Sequence, residues 1–152
     1  MPVYSNVGDL RIGRYSEPGR IYLLTAVVDQ RQPVFTDWRK GRLVVQELRQ
    51  VQEENWADFL AWVLMPDHMH CLVQLQDKTL AELMCRIKSR SSLAVNLAME
   101  RRGRLWQKGY HDRAVRREED VKNLARYVVA NPVRAGLVER VHDYPLWDAC
   151  WL

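Results

Sequence analysis

Apolar positions along the chain alternate between two periods. Ile21–Val28 (IYLLTAVV) is a dense run of β-branched and apolar residues directly after Pro18-Gly19, which predicts a first strand leaving a turn. From Trp38 the period lengthens: Val44, Leu48 and Val51 recur at helical spacing behind Thr36-Asp37, a pair able to cap a helix, until Glu53-Glu54. Gly41 is a weak point inside that helix. Trp56–Met65 and Met69–Gln76 flank the turn pair Pro66-Asp67 and predict an antiparallel hairpin. Thr79-x-x-Glu82 is a capping box, opening a helix with Leu80, Leu83, Met84 and Ile87 on its apolar face.

Arg101–Gly109 is turn-like and basic, and Tyr110–Arg116 suits a short strand. Arg117–Ala130 carries Val121, Leu124, Ala125 and Val128 as one helical stripe. Asn131-Pro132 is expected to end it, because a residue before proline is pushed out of the helical region. The aromatic tail, about residues 139–152 with Tyr144-Pro145-Leu146-Trp147, is expected to pack back on the domain. The order β-α-β-β-α-β-α predicts an α+β fold: a ferredoxin-like antiparallel sheet with helices, plus a C-terminal helix.

Composition narrows the class. A length of 152 residues, 47% of them hydrophobic and 28% charged, fits one folded domain over 1–152, with a basic arm over about 1–20 carrying Arg11, Arg14 and Arg20. The apolar run Phe59–Met65 is far short of the roughly 18 residues needed to span a bilayer. No basic, apolar and small-residue succession follows Met1, so a cytoplasmic location is expected. Cys71, Cys85 and Cys150 lie far apart without C-x-x-C spacing, which predicts buried thiols and neither a disulfide framework nor a zinc knuckle.

The net charge of +4 and pI near 9.1 are compatible with a polyanionic partner, and the distribution says more. Arg86, Lys88, Arg90, Arg101, Arg102, Arg104, Lys108, Arg113, Arg116 and Arg117 fall in one segment in which Glu100 is the one acid before Asp112. Such a segment suits a phosphate-binding surface; a solvated helix face would interleave both signs.

Two candidate chemical groups stand out. His68 and His70 straddle Met69 at the start of a strand, so both imidazoles share a face with Leu72 and Gln74 and can converge on one ion. Met69, Cys71, Val73 and Leu75 take the other face for the core. On the last helix Tyr127 falls outside the apolar sector and gathers with Asp120, Asn123 and Asn131 on one flank. A phenol there either packs at the core edge or reacts.

Taken together, Trp62-Val63-Leu64-Met65-Pro66-Asp67-His68-Met69-His70, Trp106-Gln107-Lys108-Gly109-Tyr110-His111-Asp112 and Tyr127-Val128-Val129-Ala130-Asn131-Pro132-Val133-Arg134-Ala135-Gly136-Leu137-Val138 resemble the REP-associated tyrosine transposases, within the Y1 family of HUH transposases related to the IS200/IS605 insertion elements. The opening Arg14-Tyr15-Ser16-Glu17-Pro18-Gly19-Arg20-Ile21-Tyr22 is also similar, so the likeness spans nearly the whole chain. Asp67 departs from the asparagine more often found before the first histidine.

The resemblance implies that His68 and His70 bind Mg2+ or Mn2+, that Asn131 adds a polar contact there, and that Tyr127 is the nucleophile. A free phenol with a pKa near 10 is only about 0.1% ionised at neutral pH and forgoes roughly 4 kcal/mol of reactivity, which a metal on the scissile phosphate can offset. Attack would give a 5′-phosphotyrosine link, reversible by a 3′ hydroxyl without ATP. The implied partner is a single-stranded DNA hairpin formed by a REP-like palindrome, bound by a monomer or homodimer. Arg11, Arg14, Arg20, Arg86, Arg90, Arg101, Arg102 and Arg104 are candidate phosphate contacts, with Trp106 or Tyr110 as stacking surfaces. Three rival readings are a rolling-circle initiator or relaxase, a domesticated hairpin-binding regulator that does not cut, and a small-molecule metalloenzyme using His68, His70 and His111.

Overall fold

The structure is a computed structural model that describes residues 19–116 and 120–150. Strand β1 (Ile21–Val27) is followed by helix α1 (Trp38–Glu53), the hairpin β2 (Ala57–Met65) and β3 (His68–Leu75), helix α2 (Leu80–Met99) and strand β4 (His111–Ala114). Helix α3 (Val121–Val129), the four-residue helix α4 (Asn131–Arg134) and strand β5 (Trp147–Ala149) complete it. The strands form one sheet in the order β4-β1-β3-β2-β5, and every neighbouring pair is antiparallel. The expected α+β sheet is thus observed.

Local signals act where the sequence places them. Asp37 accepts from the Arg39 backbone N–H and starts α1, and Thr79 and Glu82 close the capping box that starts α2. Asp120 accepts from the N–H groups of Lys122 and Asn123, which sets the start of α3. The first part of the expected helix, Arg117 to Glu119, lies outside the described residues.

Helices α1 and α2 cover one face of the sheet. Val44, Leu48, Val51, Leu83, Met84 and Ile87 pack there against Leu24, Met69, Cys71, Val73 and Leu75. Helix α3 covers the other face, where Ala125, Val128 and Val129 meet Ala61, Val63, Met65 and Leu72. A bulge between Phe59 and Ala61 makes this possible. Phe59 belongs to the first core and Ala61, Val63 and Met65 to the second, because one extra residue inverts the alternation.

Two expectations are corrected and a third is met in an unexpected form. Asn131-Pro132 does not end the helical path: Pro132 sits in the first turn of α4, where its missing N–H costs nothing, and Ala130 joins the two helices. The tail does pack back, and it does so as a fifth strand on β2, which the short segment Trp147–Ala149 did not announce. Of the cysteines, Cys71 is buried, with its thiol pushed up by burial, whereas Cys85 and Cys150 are exposed, and all three are free. No helix among the described residues is long and apolar enough to cross a membrane.

Candidate functional site

The β2–β3 turn carries the histidines and is held from outside the hairpin. Val28 N–H donates to Asp67 O at 2.9 Å, and Phe35 N–H donates to Pro66 O at 3.0 Å. His68 and His70 then enter β3 on the face shared with Leu72, the face that α3 covers. Their rings lie edge to face with centroids 4.8 Å apart.

Each imidazole is anchored through Nδ1. His68 Nδ1 lies 2.7 Å from Asp67 Oδ1, and Arg31 Nη1 donates to the other carboxylate oxygen at 3.0 Å. Burial acts to raise the Asp67 carboxyl, but hydrogen bonds from His68 and Arg31 outweigh it and hold the group below its ordinary value. An ionised Asp67 accepts, so His68 carries its proton on Nδ1 and leaves Nε2 as the donor atom for a ligand. His70 Nδ1 lies 2.9 Å from Thr25 Oγ1, on the residue directly across the ladder. Burial, then the charges of His68 and Arg134, push His70 down to about 4, so its ring is neutral at pH 7.

Tyr127 is 61% exposed on α3. The Arg134 guanidinium carbon lies 3.7 Å from its ring centroid. Asn131 Nδ2 donates to Val128 O at 2.8 Å, which leaves the amide oxygen as the atom able to face a cation. Among the described residues no hydrogen bond or ring contact joins Tyr127 or Asn131 to either imidazole, and no third histidine, cysteine or carboxylate completes a metal cluster. Two imidazoles with Nδ1 anchored nevertheless suit a divalent ion, the remaining positions falling to an amide oxygen, water or phosphate.

A cleft of about 310 Å³ is lined by Thr25, Val27, Gln107, Lys108, Gly109, Tyr110 and His111. Thr25 pairs with His70 on one side and with His111 on the other, so all three share one face.

The candidate DNA contacts do not form one surface. Arg11 and Arg14 lie outside the described residues. Arg86 grips Glu54 with both Nη atoms at 2.6 and 2.8 Å and lies over Trp56. Arg90 Nε is 3.5 Å from Glu47. Both sit on α2, across the sheet from the histidines, where carboxylates already engage them. Arg101 Nη2 donates to Arg104 O, while the side chains of Arg102 and Arg104 are exposed. Arg20 and Tyr110 are half-buried, and Tyr110 packs against the first core.

Trp106 is 2% exposed. It stacks beside Phe35 and donates Nε1–H to Ser91 Oγ at 2.9 Å, so no ring face remains for a base. The aromatic identity of a loop residue could not reveal that its loop closes over the core. Sequence reasoning also missed Thr25, Arg31 and Arg134. The first two depend on cross-strand and turn geometry; Arg134 was visible inside the matching C-terminal stretch.

The family model described as "Transposase IS200 like" matches residues 19–131. A REP-associated tyrosine transposase of Escherichia coli K12 is 30% identical over 97 residues, which are 62% of this chain and 56% of that protein. The chain thus spans little more than half of that relative. A Haemophilus influenzae protein described as a candidate REP-associated tyrosine transposase is 26% identical over 143 residues, 84% of this chain and 78% of that one. The solved structure of a REP-associated tyrosine transposase bound to a REP hairpin superposes with a TM-score of 0.72 at 23% identity, covering 97% of this chain and 82% of that one. With the family model matching well over half its length, the chain belongs to the IS200-like transposase family.

Proposed function

We propose that the chain is a REP-associated transposase that binds hairpins formed by palindromic repeats and cuts and rejoins single-stranded DNA in the cytoplasm. The observation that carries this reading is the placement of the anchored His68–His70 pair on the sheet face covered by the helix that bears Tyr127. In the reaction Tyr127 Oη attacks the scissile phosphorus, the P–O3′ bond breaks, and the phenol proton is lost as the 3′ oxygen gains one. The products are a 5′-phosphotyrosine and a free 3′ hydroxyl. Attack by a 3′ hydroxyl reverses the step, since the linkage conserves the bond.

His68 and His70 through Nε2, with Asn131 through Oδ1, are the residues that would hold Mg2+ or Mn2+. Bound there, the ion would withdraw charge from the phosphate and fix its orientation. Asp67 holds His68 in the tautomer that presents Nε2, and Thr25 orients the His70 ring through Nδ1. The exposed Arg102, Arg104 and Lys108 offer charge to the DNA backbone.

The test is incubation of the wild type and Tyr127→Phe with a single-stranded hairpin library and Mn2+, followed by denaturing electrophoresis. A covalent adduct in the wild type and none in the variant supports the reading. An adduct that persists in Tyr127→Phe refutes Tyr127. Tight hairpin binding with no adduct in the wild type makes the chain a non-cleaving hairpin-binding regulator.

A further inference from the structure

We propose that Arg134 is a catalytic residue whose guanidinium, stacked on the Tyr127 ring, grips a non-bridging oxygen of the scissile phosphate and seats the phosphorus in front of Tyr127 Oη. The proposal rests on Tyr127 being the nucleophile.

The backbone delivers Arg134 to this place by a specific path. Helix α3 ends at Val129, and α4 resumes the helical course at Asn131 with Arg134 N–H bonded to Ala130 O at 3.0 Å. Arg134 is thus seven residues beyond Tyr127, two turns on, and helical side chains lean back toward the N-terminus. The turn is then locked: Ala135 N–H bonds Asn131 O at 2.9 Å, Leu137 N–H bonds Pro132 O at 2.9 Å, and Gly136 at φ +76° takes the chain away. The long side chain reaches the phenol ring at 3.7 Å.

Stacking uses the π face of the guanidinium and leaves its N–H groups in the plane, directed outward. Those donors form the fork that matches two phosphate oxygens. Both residues are exposed, so a phosphate can approach without displacing core. Two of the other arginines weighed for phosphate binding do not compete for this role: Arg86 and Arg90 are engaged by Glu54 and Glu47 on the opposite face of the sheet.

The experiment compares wild type, Arg134→Ala and Arg134→Lys, each with Mn2+ and a hairpin oligonucleotide selected by the wild type. The oligonucleotide carries either a normal or a neutral methylphosphonate linkage at the cut site. Adduct formation in single turnover and hairpin affinity are measured side by side. Arg134→Ala should slow adduct formation by about a hundredfold, the usual effect of removing one donor to a developing charge, and change hairpin affinity by less than about threefold. Lysine restores charge without the fork and should recover only part of the rate. The methylphosphonate should slow the wild type by a larger factor than it slows Arg134→Ala, because the oxygen held by Arg134 has already lost that partner in the variant.

Adduct formation in Arg134→Ala within twofold of wild type overturns the proposal while leaving Tyr127 as nucleophile. Independent, multiplying losses from the variant and the methylphosphonate also overturn it. A wild type that forms no Tyr127-dependent adduct overturns the functional reading, and this proposal with it.

Discussion

Thr25 Oγ1 lies 2.9 Å from His70 Nδ1 across the β1–β3 ladder, so a residue 45 positions away in sequence fixes which way the second histidine points. Outer hydrogen bonds of this kind hold a ligand ring in one tautomer and typically change metal affinity by 10–100-fold when removed. Thr25→Val keeps the shape and deletes the hydroxyl. We expect Mn2+ affinity, measured by calorimetry on the full chain, to fall at least about tenfold, and Thr25→Ser to retain most of it. Unchanged affinity in Thr25→Val would remove Thr25 from the site.

Ser91 is a fully buried polar residue, and its hydroxyl accepts Trp106 Nε1–H at 2.9 Å. This bond ties the 101–110 loop to α2. Ser91→Ala leaves the indole N–H buried without an acceptor, at a cost of about 1–3 kcal/mol. A loss of unfolding free energy of that size is expected from urea titration; a loss indistinguishable from zero would mean that the loop does not depend on the bond.

The Arg86 guanidinium, helped by Gln50, holds the Glu54 carboxyl at about 2 against an ordinary value of 4.5. The folded state therefore binds fewer protons than the unfolded chain across that interval. The stabilisation is complete above pH 4.5 and is lost as pH falls toward 2. Urea midpoints measured from pH 2 to pH 6 should rise less steeply with pH in Glu54→Gln than in the wild type. Parallel curves would show that the pair is electrostatically silent.

Much of the scaffold was legible because local signals and tertiary packing agree. The Thr79–Glu82 box, the Pro66-Asp67 turn and the alternation around Met69 each predict the element that forms. The parity of His68 and His70 was readable for the same reason. What escaped reading depends on partners distant in sequence. Gly41, a weak helix residue by propensity, gives Leu146 its seat: a Cβ there would come within 2.5 Å of Leu146 Cδ1. Asp67 read as a turn residue and proves to be the anchor of His68. The basic segment read as one surface, yet the fold sends its arginines to different faces and gives two of them to Glu54 and Glu47.

The sheet order has a mechanical consequence for the site. Its two edges are β4 and β5, and the stretch of chain between them in sequence carries α3 and α4 from one border of the sheet to the other. The histidines are located by hydrogen-bond register in the central ladders, which tolerates almost no drift. Tyr127 and Arg134 are located by the volumes of Ala125, Val128 and Val129 against Ala61, Val63 and Met65. One half of the site is therefore indexed like a gear and the other cushioned like a bearing. Altering a methyl group beneath α3 would retune the distance between Tyr127 and the His68–His70 pair while leaving all three side chains unchanged.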